Sequence, residues 1–89
     1  MNTWKVSITR KAYKQFQKLP YKIQDLIDLA ITDLEEQGYQ PEGWDVKKTG
    51  INEYRLRLTY RYRMRYRIYD NRIMEIEIFY LGHRRDAYI

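Results

Sequence analysis

Between positions 54 and 68 arginine and apolar residues alternate with a period of two. Tyr54-Arg55-Leu56-Arg57-Leu58 sets the pattern and Tyr62-Arg63-Met64-Arg65-Tyr66-Arg67-Ile68 repeats it. Such alternation puts the apolar set on one face of a strand and the arginines on the other. The two runs therefore read as neighbouring antiparallel strands joined through Thr59-Tyr60-Arg61. A further strand is expected over 73–81, with Met74, Ile76, Ile78 and Tyr80 on one face and Ile73, Glu75, Glu77, Phe79 and Leu81 on the other. Apolar residues on both faces place it centrally. Asp70-Asn71 marks the turn before it.

The first half of the chain changes period. Trp4, Val6 and Ile8 alternate with Lys5 and Ser7 as a first strand. Thr9 can cap a short helix in which Ala12, Phe16 and Leu19 share a face, with Tyr13 beside them. Pro20 ends it and suits the start of a second helix. There Ile23, Leu26, Ile27, Ala30, Ile31 and Leu34 follow the amphipathic template, and Gly38 supplies the stop. Residues 39–50 read as a loop. The expected fold is α+β, β-α-α-β-β-β, with a helical hairpin packed on a small antiparallel sheet.

The 89 residues allow one domain, residues 1–89, with a modest core. There is no cysteine, which excludes disulfides, thiolate chemistry and Cys-ligated zinc. Met1 to Lys5 leads into a polar segment without a signal-like apolar region, and no apolar run approaches the roughly 20 residues that span a bilayer. A cytoplasmic protein without a membrane partner is expected.

The net charge of +5 is unevenly spread. Positions 54–67 hold six arginines and no acid, whereas 24–36 carry Asp25, Asp28, Asp33, Glu35 and Glu36 and no base. One face is built to meet a polyanion. The apolar pattern sets the register, because a one-residue slip would turn every side chain over. Leu56 is expected across from Met64, Arg57 from Arg63 and Arg55 from Arg65. In the next hairpin Met64 is expected to face Ile78, Tyr66 to face Ile76, and Arg63 to meet Phe79. Arg65 would meet Glu77 and Arg67 would meet Glu75, which is a structural use of both. Arg55, Arg57 and Arg63 remain as a cluster short of carboxylates. A mixed-sign solvated face would do without that repulsion, so phosphate is the anion the guanidinium forks fit. Tyr54, Tyr62 and Tyr66 belong to the core face. Tyr60, Trp44 and Tyr88 lie off it and suit base stacking.

After the last strand come Gly82-His83-Arg84-Arg85-Asp86-Ala87-Tyr88. A lone histidine is ordinarily incidental, and a metal site needs more ligands than this tail offers. Folded over the arginine face, however, the tail adds an imidazole, a guanidinium and a phenol, which can hold a phosphate and move a proton.

This tail, the two arginine runs, Ile76-Glu77-Ile78 and the loop Lys47-Lys48-Thr49-Gly50 together resemble RelE-type toxins of the RelE/ParE superfamily. As architecture the resemblance covers nearly the whole chain, and its motifs concentrate in 47–88. It implies a ribosome-dependent mRNA endoribonuclease that needs no metal or other cofactor, and a cognate antitoxin that wraps the active face. Carried over, Arg57, Arg63, His83, Arg84 and Tyr88 are the catalytic candidates. His83 or Tyr88 handles protons, and the arginines bind phosphate and stabilise charge. Lys47, Lys48, Arg55, Arg61 and Arg65 are the RNA-binding candidates. The chain departs from the family in three places. Arg57 stands where some members hold a lysine and, staying protonated, is a poor general base. Lys48 replaces an apolar residue, and Thr59-Tyr60-Arg61 lacks the usual hairpin glycine. The alternatives are a ParE-like inhibitor of DNA gyrase, which shares the fold, and a non-catalytic RNA-binding member.

Overall fold

The computed structural model describes residues 4–69 and 74–86. Its elements are β1 (Lys5–Ile8), α1 (Arg10–Gln17), α2 (Tyr21–Gln37), β2 (Asp45–Gly50), β3 (Glu53–Arg57), β4 (Tyr62–Ile68) and β5 (Glu75–His83), followed by a 3-10 turn over Arg84–Asp86. The strands form one sheet in the order β1-β5-β4-β3-β2. β1 runs parallel to β5 and the other pairs are antiparallel, so the α+β expectation holds with a mixed, five-stranded sheet. No helix among the described residues is long and apolar enough to cross a membrane.

Local chemistry sets the helical hairpin. The Thr9 hydroxyl accepts from the Ala12 amide at 3.1 Å, satisfying one of the open donors that begin α1. Gln24 Nε2 donates to the carbonyls of Phe16 (2.9 Å) and Leu19 (3.2 Å), so a side chain of α2 closes the end of α1. Ile23, Ile27, Ala30 and Leu34 bury one stripe of α2, as its periodicity requires. Gly38 has φ +90°, and a Cβ there would come within 2.8 Å of the Trp4 indole nitrogen, so both backbone and packing exclude a side chain.

The core centres on Leu56, Met64, Tyr66, Ile76, Ile78 and Leu81 beneath the helices. At one end the aromatic rings form a chain, Trp4 to Tyr39 to Tyr54 to Tyr66, with neighbouring centroids 5.1–5.8 Å apart. Tyr66, fully buried, donates its hydroxyl to the Tyr39 carbonyl. Burial, then the neighbouring Tyr54, raises its pKa far above the ordinary tyrosine value. Trp44 is an anchor, not an open stacking surface: it is half-buried against the core and donates to Asp33 Oδ2 at 2.8 Å.

Two expectations need correction. The segment read as a loop contains β2, an edge strand in which Val46 alone provides an inward apolar residue. A strand carrying so little apolar pattern is held by pairing to β3. Its exposed lysines, Lys47 and Lys48, suit an edge. The β4–β5 register also differs. Tyr66 faces Ile78, not Ile76, and Arg67 faces Glu77, not Glu75, a slip of two residues; beyond them Arg65 faces Tyr80, Met64 faces Leu81 and Arg63 faces Gly82. A bulge inserts one extra residue of β5 at Phe79 and reverses its alternation. Leu81 therefore enters the core and Tyr80 joins the arginine face. The expected Asp70-Asn71 turn lies outside the described residues.

Gly38→Ala should destabilise the fold by about 2 kcal/mol or more, read as a lowered urea midpoint. The raised Tyr66 pKa gives a sign for alkaline stability. The unfolded chain loses this proton near pH 10 and the folded chain only above that. Stability is thus intact below pH 10 and falls as pH rises beyond it. Tyr66→Phe should be less stable at neutral pH and should lose less between pH 10 and 11 than the unsubstituted protein.

Candidate nucleic-acid interface

The sheet face opposite the helices is organised in rows. One runs Asp45, Arg57, Arg63, Gly82 across β2, β3, β4 and β5; the next runs Lys47, Arg55, Arg65, Tyr80. Side chains of both rows share a face because their positions differ by two. The pairing of Arg57 with Arg63 and Arg55 with Arg65 is as the apolar pattern requires.

The arginines are not equivalent. Asp45 lies between two of them, 3.7 Å from Arg55 Nη2 and 3.5 Å from Arg57 Nε. Arg55 is only 8% exposed, whereas Arg57 is open to solvent. Arg65 pairs with Glu53 at 3.2 Å, and Arg67 with Glu77 at 3.7 Å. Both of these guanidinia lie over the Phe79 ring, 4.9 and 4.1 Å from its centroid. The expected pairing of Arg65 with Glu77 and Arg67 with Glu75 is thus displaced, by a two-residue slip of β5 at Arg67 and by that slip plus the bulge at Arg65, while the structural use of both residues stands.

Arg63 is 6% exposed, and its Nη1 donates to the carbonyls of Thr59 (2.7 Å), Tyr60 (3.2 Å) and Tyr62 (3.1 Å). The Thr59 hydroxyl accepts from the amides of Arg61 (3.2 Å) and Tyr62 (3.3 Å). Two side chains thereby satisfy the backbone of a hairpin tip that has no glycine. The geometry makes Arg63 an internal brace for the tip.

The tip meets the end of β5. The Arg84 amide donates to the Arg61 carbonyl at 2.7 Å, and the Arg84 guanidinium lies over Tyr60, 4.5 Å from the ring centroid. Between them is a cavity of about 350 Å³ lined by Tyr60, Arg61, His83, Arg84 and Arg85. Three guanidinia and an imidazole border it, with no carboxylate among the described lining residues. Two strand spacings, about 10 Å, separate Gly82 at its edge from Arg57.

His83 is oriented by what surrounds it. Its Nδ1 accepts from the Arg85 amide at 3.2 Å and its ring meets Tyr62 edge-on at 6.0 Å. With Nδ1 accepting, the neutral ring carries its proton on Nε2. Tyr80 donates its hydroxyl to the His83 carbonyl at 2.8 Å, and a Cβ on Gly82 would lie 2.8 Å from that hydroxyl. Gly82 is therefore the space in which Tyr80 steadies the His83 backbone. Burial first, and Asp86 second, raise the Tyr80 pKa, which suits a steady hydroxyl donor.

Arg61, His83 and Arg84 are thus brought into one groove, and Arg57 lies on the neighbouring sheet face with Arg55 and Arg65. Lys47 and Lys48 stand on the edge strand, further from the groove. Tyr88 lies outside the described residues. Sequence reasoning did not place Arg85 or Tyr80 at the site. Tyr80 is there only because of the bulge, and the nearest sequence sign of it is the glycine two positions on.

No family model matches the sequence, and neither does any curated protein. Solved structures do. The archaeal RelE–RelB complex from Pyrococcus horikoshii OT3 is similar to this chain with 27% identity and a TM-score of 0.78, covering 96% of this chain and 99% of that one. The RelBE2 complex from Mycobacterium tuberculosis is similar with 25% identity and a TM-score of 0.68, covering 97% of each chain. A YoeB dimer from Staphylococcus aureus shares the fold at 15% identity, with a TM-score of 0.73 and 90% and 95% of the two chains covered. Two helices on this five-stranded sheet, matched over almost all of its length, give the chain the fold of a RelE/ParE-superfamily toxin.

Proposed function

We propose that this chain is the toxin of a type II toxin–antitoxin pair, acting in the cytoplasm as a metal-independent endoribonuclease that cuts mRNA on the ribosome and so inhibits translation. The observation that carries this reading is the groove at the end of β5, where His83 and three guanidinia meet with no carboxylate among the described lining residues. The likeness to RelE chains solved with RelB supports a protein antitoxin as the second partner, one that covers the arginine face.

The chemistry follows from the donors present. The ribose 2′-hydroxyl attacks the adjacent phosphorus, so a bond forms from O2′ to phosphorus and the bond from phosphorus to O5′ breaks. The 2′-hydroxyl gives up a proton and the departing 5′-oxygen takes one. Negative charge grows on the non-bridging oxygens between these events. Fixed cationic donors aimed at that charge lower the barrier more than they stabilise the substrate. Arg84, Arg61 and Arg85 border the position such a phosphate would occupy, and Arg57 meets the neighbouring backbone. His83, once protonated on Nδ1 as well with release of the Arg85 amide, acts as the acid: the imidazolium passes its Nε2 proton to the 5′-oxygen and returns to the neutral ring. The resemblance then leaves Tyr88 for the 2′-hydroxyl proton. Arg63 acts through the hairpin it braces.

Arg84→Ala should lower cleavage by about 10²–10³-fold, and His83→Ala should abolish growth inhibition, both with unchanged thermal unfolding. Mapping mRNA 5′ ends after induction is the direct check. Cuts inside translated frames are expected. Intact mRNA with arrested replication would replace this reading with gyrase inhibition, and intact mRNA with normal replication with RNA binding alone.

Arg57 and Arg63 should behave oppositely. Arg57→Ala should reduce the salt slope of RNA binding by about 1 and leave stability nearly unchanged. Arg63→Ala removes the charged donor to the part-buried Thr59 and Tyr60 carbonyls and should cost roughly 2–3 kcal/mol of stability in a denaturant titration.

A further inference from the structure

Tyr60 stands exposed at the hairpin tip, at 67%. An aromatic ring left in water at a turn carries no packing role of its own. Its backbone, however, is held from two sides. Arg63 Nη1 binds its carbonyl at 3.2 Å, and the Arg84 amide binds the carbonyl of the next residue, Arg61, at 2.7 Å. On this fixed base the ring receives the Arg84 guanidinium, with Cζ 4.5 Å from the centroid and Nη2 3.3 Å from the Tyr60 hydroxyl.

We propose that Tyr60 is the positioning residue for Arg84, holding its guanidinium at the groove in readiness for a phosphodiester of single-stranded RNA. The proposal rests on the function given above. An exposed arginine on its own samples many rotamers, and a phosphate that binds it must bear the cost of ordering it. Stacking uses the face of the guanidinium, while phosphate is bound by the N–H groups at its edge. The ring can therefore restrict the arginine while leaving edge donors for the ligand. Arg63 is the deeper member of the same device, because it fixes the loop from which Tyr60 projects.

The test compares Tyr60→Phe, which keeps the ring, with Tyr60→Leu, which does not. By NMR the Arg84 side-chain protons should lie upfield in the unsubstituted protein through the ring current. They should stay so in Tyr60→Phe and return toward free-arginine positions in Tyr60→Leu. Binding is measured with a short RNA that is 2′-O-methylated at each position, which has no free 2′-hydroxyl and cannot be cleaved. Tyr60→Leu should weaken it about tenfold and Tyr60→Phe no more than about threefold. In an Arg84→Ala background Tyr60→Leu should add nothing. Unshifted Arg84 protons in the unsubstituted protein would overturn the proposal. So would a full further loss from Tyr60→Leu in the Arg84→Ala background, which would make Tyr60 a base-stacking contact in its own right. If the protein cleaves no RNA, the nuclease reading fails, while the ring-current and binding measurements still decide the role of Tyr60.

Discussion

The row of Leu56, Met64 and Leu81 is the constraint on which the rest of the molecule depends. These three fully buried residues face one another across β3, β4 and β5. Because side chains alternate, fixing this row inward fixes Arg57, Arg63 and Gly82 in the adjoining row outward. A slip by one residue would drive guanidinia into the helices, at a cost no small domain could bear. The apolar row therefore does more than stabilise the sheet. It determines which end of which strand presents cations, and so where the groove lies.

A face this rich in arginine has to be made tolerable, and the structure does it in three distinct ways. Near β2 a single carboxylate, Asp45, is shared by Arg55 and Arg57. Toward the other end of β4, Glu53 and Glu77 take Arg65 and Arg67, with Phe79 beneath both guanidinia. At the tip three backbone carbonyls engage Arg63. Carbonyl dipoles engage a guanidinium without neutralising it, and Arg61, Arg84 and Arg85 line the groove beside it. The paired carboxylates Asp45, Glu53 and Glu77 thus serve the strand arginines, and none of them lines the groove.

Much of this was legible from residue spacing. The α2 stripe, the Thr9 cap, the Gly38 stop and the β3–β4 register all follow from short-range pattern, and each is found. What was missed has a common physical origin. β2 forms because β3 offers it an unpaired edge, and a segment with Val46 as its only inward apolar residue cannot announce that. The β5 bulge leaves no mark in period-two reasoning except that Tyr80 and Leu81 exchange faces. Arg63 shows the limit most plainly. Its alternation with Tyr62 and Met64 correctly gives its face, but not that its side chain curls back onto the turn preceding it. Side-chain direction beyond the first bond is decided by which backbone groups lack partners.

The lack of a glycine at the hairpin tip links these points. A glycine turn closes by its own backbone, and its shape is then independent of its surroundings. Here the Leu58 amide closes on the Tyr62 carbonyl at 3.0 Å, the Thr59 hydroxyl and the Arg63 guanidinium complete the turn, and the 3-10 turn after β5 is tied on through Arg61. The tip and the end of β5 consequently form one connected unit, in which the buried cation supports the exposed one. Tyr60 belongs to that unit by its backbone and to the groove by its ring. The departure from the usual hairpin thus marks where this chain has coupled the closure of a turn to the geometry of its cationic groove.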